Sequence, residues 1–147
     1  MKKNFFKELF CKKTKRIDSF DTVTLRISGM RYTNEYEILM KNGEAEVSFY
    51  DIRYTDTKDR RELQKRASCK KEEVLDLLNC CGVLSWDGFH GAHPRGVKDG
   101  VMFRLSAKVN DGESIYANGS QNFPHHYAEL RDGLKKILEN GEDIGNV

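Results

Sequence analysis

VMFRLSAKVNDGESIYA, Val101 to Ala117, decides the fold. Val101, Phe103, Leu105, Ala107 and Val109 alternate with polar residues, Asn110-Asp111-Gly112 supplies a turn, and Ile115 and Ala117 resume the alternation. A period of two with a glycine-bearing turn at its centre is the pattern of an antiparallel hairpin, one face of which meets a core.

The same pattern recurs toward the N-terminus. Val23, Leu25 and Ile27 alternate with polar residues, and Gly29 ends the run. Tyr36, Ile38 and Met40 share one face, Asn42-Gly43 reads as a tight turn, and Ala45, Val47 and Phe49 return. At Phe49-Tyr50 the phase slips to Tyr50, Ile52 and Tyr54, as a bulge would produce. TDTKDRRELQKRA, 55–67, holds one leucine among its charges and reads as a solvated turn followed by an edge strand.

Two segments carry helical spacing instead. Val74, Leu77, Leu78 and Cys81 form a stripe that Gly82 ends, with Ser68 the expected N-cap. Tyr127, Leu130, Leu134, Ile137 and Leu138 line one face of a closing helix that stops at Asn140-Gly141, with Ser120 or Asn122 expected as its cap. The order β-β-β-(β)-α-β-β-α implies an α+β two-layer domain: a mainly antiparallel sheet of five to six strands with two helices on one face.

Composition bounds the rest. A chain of 147 residues has the usual length of one domain. Residues 1–16 carry seven basic side chains against Glu8 alone, leaving 18 basic and 22 acidic residues in the remainder. The body therefore does not read as a nucleic-acid surface, and 1–16 reads as a basic arm in which Phe5, Phe6, Leu9 and Phe10 recur at helical spacing. The expected organisation is this arm, a single domain over 17–141, and a flexible tail over 142–147. Cys80 and Cys81 on a helix point about 100° apart. With no C-x-x-C pair and no apolar signal segment, the cysteines read as reduced thiols of a cytoplasmic protein. Cys69 beside Lys70 and Lys71 reads as a passive helix-start residue; an activated thiol is the alternative.

No signature of a known chemistry occurs. Candidate sites lie where the sequence is least regular. WDGFHGAHPRGVKDG, Trp86 to Gly100, spans most of a connection, 82–98, far longer than the usual span of about 4–6 residues, and runs on to the strand that follows. It reads as a loop pinned by Trp86 and Phe89 and mobile from His90 to Gly96. Trp86, Phe89, His90, His93 and Arg95 are the candidate ligand-binding residues. Arg60, Arg61, Lys65 and Arg66 form a candidate phosphate cluster, although Asp56, Asp59 and Glu62 stand among them. NGSQNFPHHYAEL, 118–130, leads into a helix N-terminus and suits either an anion site or an ordinary capped turn.

The segment ANGSQNFPHHYAELRDGLKKI, preceded by VMFRLSAKV, resembles small bacterial α+β domains of uncharacterised families. The resemblance implies a fold and no activity, and HGAHPRG has no counterpart in it.

Three functions follow as expectations. The first is a non-enzymatic binding or accessory module that engages a protein or small ligand, without a cofactor, through its open sheet face or the 82–98 loop. The second is a metal-dependent hydrolase that holds zinc or another divalent transition metal with His90, His93, His125 and His126. The third assigns attachment to an anionic membrane surface or nucleic acid to the 1–16 arm.

Overall fold

The computed structural model describes residues 16–55 and 57–143. The expected basic arm before Arg16 and the expected tail beyond Asp143 lie outside these residues. Within them the chain is α+β, with strands β1 (Phe20–Ser28), β2 (Thr33–Lys41), β3 (Glu44–Tyr54) and β4 (Asp59–Cys69), then helix α1 (Lys71–Cys80). A short 3-10 turn, Val83–Trp86, leads to β5 (His90–Gly91), β6 (Met102–Val109), β7 (Glu113–Ser120), helix α2 (Tyr127–Asn140) and β8 (Glu142–Asp143). One open sheet runs in the order β5-β7-β6-β1-β2-β3-β4-β8, antiparallel except where β5 pairs with β7.

Both expected hairpins form as read. Asn42 and Gly43 have φ of 54° and 81°, and Asn110, Asp111 and Gly112 are all at positive φ, the turns that match strand twist. The inward residues of β1, β2, β3, β6 and β7 meet Val74 and Leu78 of α1 and Leu130, Leu134 and Leu138 of α2 in one core. Two bulges adjust the phase. Asp21 is the extra residue between the Phe20↔Val109 and Thr22↔Lys108 pairs, so Phe20 and Val23 both point inward. The slip at Phe49-Tyr50 coincides with a bulge whose extra residue is Gln64 on β4, while β3 keeps continuous register with β2.

Four expectations are corrected. Ser68 pairs with Glu46 inside β4, so the strand runs to Cys69 and the helix cap is Lys70. The residue before α2 is His126, at φ 68° and without a side-chain cap, instead of Ser120 or Asn122. His90-Gly91, expected in a mobile tip, pairs in parallel with Asn118-Gly119. Glu142-Asp143, expected in a flexible tail, pairs with Ser68 and Ala67 at the far edge.

The domain's first residues are tied down by two asparagines. The Asn79 side chain accepts from Ile17 N and donates to Ile17 O, both at 2.9 Å, and Asn110 Nδ2 donates to Arg16 O at 2.8 Å. Ile17 is thereby held in the core at 1% exposure.

Candidate functional site

The helices cover one face of the sheet, and the other face carries the polar chemistry. Thr33, Glu35, Glu46 and Ser48 are all buried, and strand alternation places all four on the helix-free face. Arginines lie across them. Arg66 donates to Ser48 Oγ (2.9 Å) and to the Tyr50 hydroxyl (3.0 Å), and Arg66 Nε is 3.3 Å from Glu46. Arg61 reaches Glu37 at 3.0 Å and Glu35 at 3.6 Å, with its guanidinium 3.8 Å from the Tyr50 ring centroid. This network takes up Arg61 and Arg66 of the candidate phosphate cluster as internal counter-charges, leaving Arg60 and Lys65 exposed outside it.

The network ends at a cavity of about 460 Å³ between β1, β6, β7 and the segment 90–93. Its floor is a cross-strand row: His90 opposite Asn118, Asn118 opposite Arg104, and Arg104 opposite Arg26; beyond the cavity the row continues to Glu35, opposite Arg26. Like charges directly opposite on adjacent strands repel, so the Arg26–Arg104 pair has to be compensated. Arg26 is compensated by Glu35 (3.3 Å) and Asp59 (3.6 Å). Arg104 is exposed and has no ion-pair or hydrogen-bond partner among the described residues.

Parallel pairing brings the loop over this row. Asn118 N donates to Phe89 O (3.1 Å) and Gly88 N to Tyr116 O (2.9 Å), while Asp87 Oδ1 accepts from Tyr116 N (2.9 Å). Two glycines permit the approach: a Cβ on Gly91 would stand 2.3 Å, and one on Gly119 2.1 Å, from the Asn122 carbonyl oxygen.

The imidazoles are oriented by these contacts. His90 Nδ1 lies 2.6 Å from Asn118 Oδ1, an acceptor, which places a proton on Nδ1 and leaves Nε2 without a partner. His93 Nε2 donates to the Val97 carbonyl, so in the neutral ring Nδ1 accepts from Ser120 Oγ at 2.7 Å.

The lining of the cavity is chemically one-sided. Arg26, Arg104, His90 and His93 contribute positive or protonatable groups, and among the described residues no aspartate or glutamate lines it. Tyr54, Met102 and Tyr116, three of the large apolar side chains left exposed in the described chain, also line it. Tyr54 stands four strands from β7; at ~4.8 Å per strand a flat sheet would separate them by about 19 Å, so the sheet curls toward this face.

The candidate residues read from the loop thus separate. His90 and His93 line the cavity; Trp86 is buried in the core, and Phe89 packs against Phe103 with ring centroids 6.1 Å apart. Arg95 is exposed in the turn before Gly96 and does not line the cavity. Arg26, Arg104 and Tyr116 were missed because strand residues that alternate outward carry no mark of function.

The four histidines do not converge. His125 and His126 lie at the start of α2 on the other side of the sheet, their rings 4.0 Å apart, with His126 Nδ1 3.3 Å from Glu129. Among the described residues no three His, Cys, Asp or Glu side chains are grouped to hold a metal ion. The structure therefore does not provide the ligand set His90, His93, His125 and His126, because β7 and its neighbours stand between the two pairs.

Cys69 ends β4 instead of opening a helix. Burial, reinforced by Glu73, pushes its thiol up to about 11, which removes the basis for an activated nucleophile. No described helix is long and apolar enough to cross a membrane.

No protein-family model matches the chain, and no curated protein or solved structure matches it. The reading of the site rests on its geometry.

Proposed function

We propose that the protein is a binding module that takes a small organic anion with an apolar body in the cavity between the helix-free sheet face and residues 90–93. The observation that carries this reading is Arg104, opposite Arg26 and without a counter-charge among the described residues, in a cavity that no described acidic side chain lines. An anion there supplies the missing counter-charge, and a guanidinium offers it a planar two-pronged donor. His90 Nε2, the Asn118 amide and Tyr116 add polar contacts, while Met102 and the two tyrosines offer the apolar body a surface. A volume of about 460 Å³ suits a small molecule.

Calorimetry with phenyl phosphate, inorganic phosphate and benzyl alcohol tests the reading. Phenyl phosphate is expected to bind most tightly, inorganic phosphate more weakly and benzyl alcohol not measurably, and Arg104→Gln should weaken phenyl phosphate about tenfold or more. Equal binding by the Arg104→Gln protein would reject it.

A further inference from the structure

On the helix side of the sheet, independently of the cavity just described, a second cleft of about 560 Å³ opens between α2 and the ends of β1, β2 and β3. Its walls are aromatic. Tyr127 stacks on Phe123 with centroids 4.5 Å apart, and Tyr36 lies 4.8 Å from Phe49. Its rim is basic: Arg131 and Lys135 are one helical turn apart on α2 and both line the cleft, which has no acidic lining residue among the described residues, although Arg131 Nε also pairs with Asp132 beside it at 3.3 Å, leaving its other guanidinium nitrogens for a ligand.

A second observation points to a ligand. The Tyr127 side chain is buried at 6% residue exposure, and its hydroxyl is the sole buried side-chain oxygen or nitrogen without a hydrogen-bond partner among the described residues. Folded proteins rarely leave such a group unpaired, since it forgoes the bond that water would give it. The surroundings specify what it is suited to meet. Burial raises the phenols of Tyr36 and, to about 12, of Tyr127, so both are protonated donors at neutral pH, and the positive charge of Arg131 acts on both. An aromatic cleft without this charge would suit a cation; Arg131 and Lys135 reverse the preference.

We propose that this cleft binds a free aromatic carboxylate, its ring among Tyr36, Phe49, Phe123 and Tyr127 and its carboxylate meeting the Tyr127 hydroxyl and Arg131. Ring stacking supplies the apolar contact, and the carboxylate completes the unpaired donor.

The test is a titration of the full chain with p-toluate and with p-toluamide, followed by ¹H–¹⁵N spectra and calorimetry. Saturable binding of p-toluate is expected, with shifts centred on residues 121–135. p-Toluamide, Tyr127→Phe and Arg131→Gln should each weaken it about tenfold. Arg104→Gln should leave the shifts at residues 121–135 unchanged while abolishing any that p-toluate produces in the cavity of the opposite face, which separates the two sites. Tyr127→Phe keeps the ring and removes only the unpaired hydroxyl, so the unliganded variant should melt no lower than the parent. The proposal is overturned by the absence of saturable p-toluate shifts at residues 121–135, by shifts there that are indifferent to both variants, or by shifts confined to the surroundings of His90 and Arg104. A lower melting temperature for Tyr127→Phe would also overturn it, because the hydroxyl would then have a partner within the fold.

Discussion

Arg26 and Arg104 face each other across the β1–β6 ladder, and among the described residues Arg26 alone is neutralised, by Glu35 and Asp59. Opposed like charges on a ladder cost about 0.2–1 kcal/mol, a cost retained in the unliganded protein. Arg104→Gln should therefore raise the stability of the free protein by about 0.5 kcal/mol at low salt, and the gain should shrink as salt screens the repulsion. Urea melts at two ionic strengths measure both. A destabilised variant would mean that Arg104 serves the fold.

Close approach of the chain at the cavity's edge depends on glycine at 119. A Cβ there would meet backbone, the Asn122 carbonyl oxygen at 2.1 Å, and also the Phe103 ring at 2.8 Å. Gly119→Ala is expected to cost about 2–3 kcal/mol. Gly133→Ala is a contrasting case, because the three atoms nearest its Cβ would all belong to Leu77, a side chain able to turn aside, while alanine favours the helix. Its net effect should stay within about 1 kcal/mol of zero, so thermal melts of the two variants should differ plainly.

Arg66 holds three groups on the helix-free face, among them Ser48, which is 1% exposed. Arg66→Ala leaves the Ser48 hydroxyl and the Glu46 carboxylate without this donor in a buried setting and should cost about 2–3 kcal/mol. Arg53→Ala removes contacts of an exposed side chain with Glu62 and Asp51 and should cost less than about 1 kcal/mol. Denaturant midpoints of the two variants check the ranking.

The raised thiol of Cys69 makes two expectations. At pH 8 iodoacetamide should modify exposed Cys80 faster than Cys69, as peptide mass mapping of brief reactions would show. Because the folded-state value lies above the unfolded one, the stability tied to the neutral thiol is complete below about pH 9 and is lost as pH rises through about 11. Tyr127 behaves likewise between about pH 10 and 12. Urea midpoints should accordingly fall across pH 9 to 12, and a Cys69→Ala variant should lose less over the lower part of that range.

Strands and helices were legible wherever one face meets the core. Val101 to Val109 and the stripe from Tyr127 to Leu138 are read directly, because burial on a single face imposes the period of the backbone. β4 was half legible: its helix-free face is built from Arg61 and Arg66 balancing buried carboxylates, so charge occupies positions where a hydrophobic residue would have signalled a strand. Ser68 then resembled a cap although it pairs with Glu46. β5 was invisible because two residues have no period, and its pairing depends on glycines at 91 and 119 whose need arises only when the chains meet. Of the cavity, the loop histidines drew notice as unusual residues, whereas Arg26 and Arg104 looked like ordinary outward strand positions until the register set them side by side.

The claim that residues 90–93 and the Arg26–Arg104 row form one anion site is tested most directly by ¹H–¹⁵N mapping of a phenyl phosphate titration. The account predicts saturable shifts in the amides of His90 to His93, Arg104 and Asn118 and in the Arg104 side-chain Nε–H, with little change along α1 and α2, and their disappearance in Arg104→Gln. Shifts scattered over the surface lysines, or confined to the α2 side of the sheet, would contradict it.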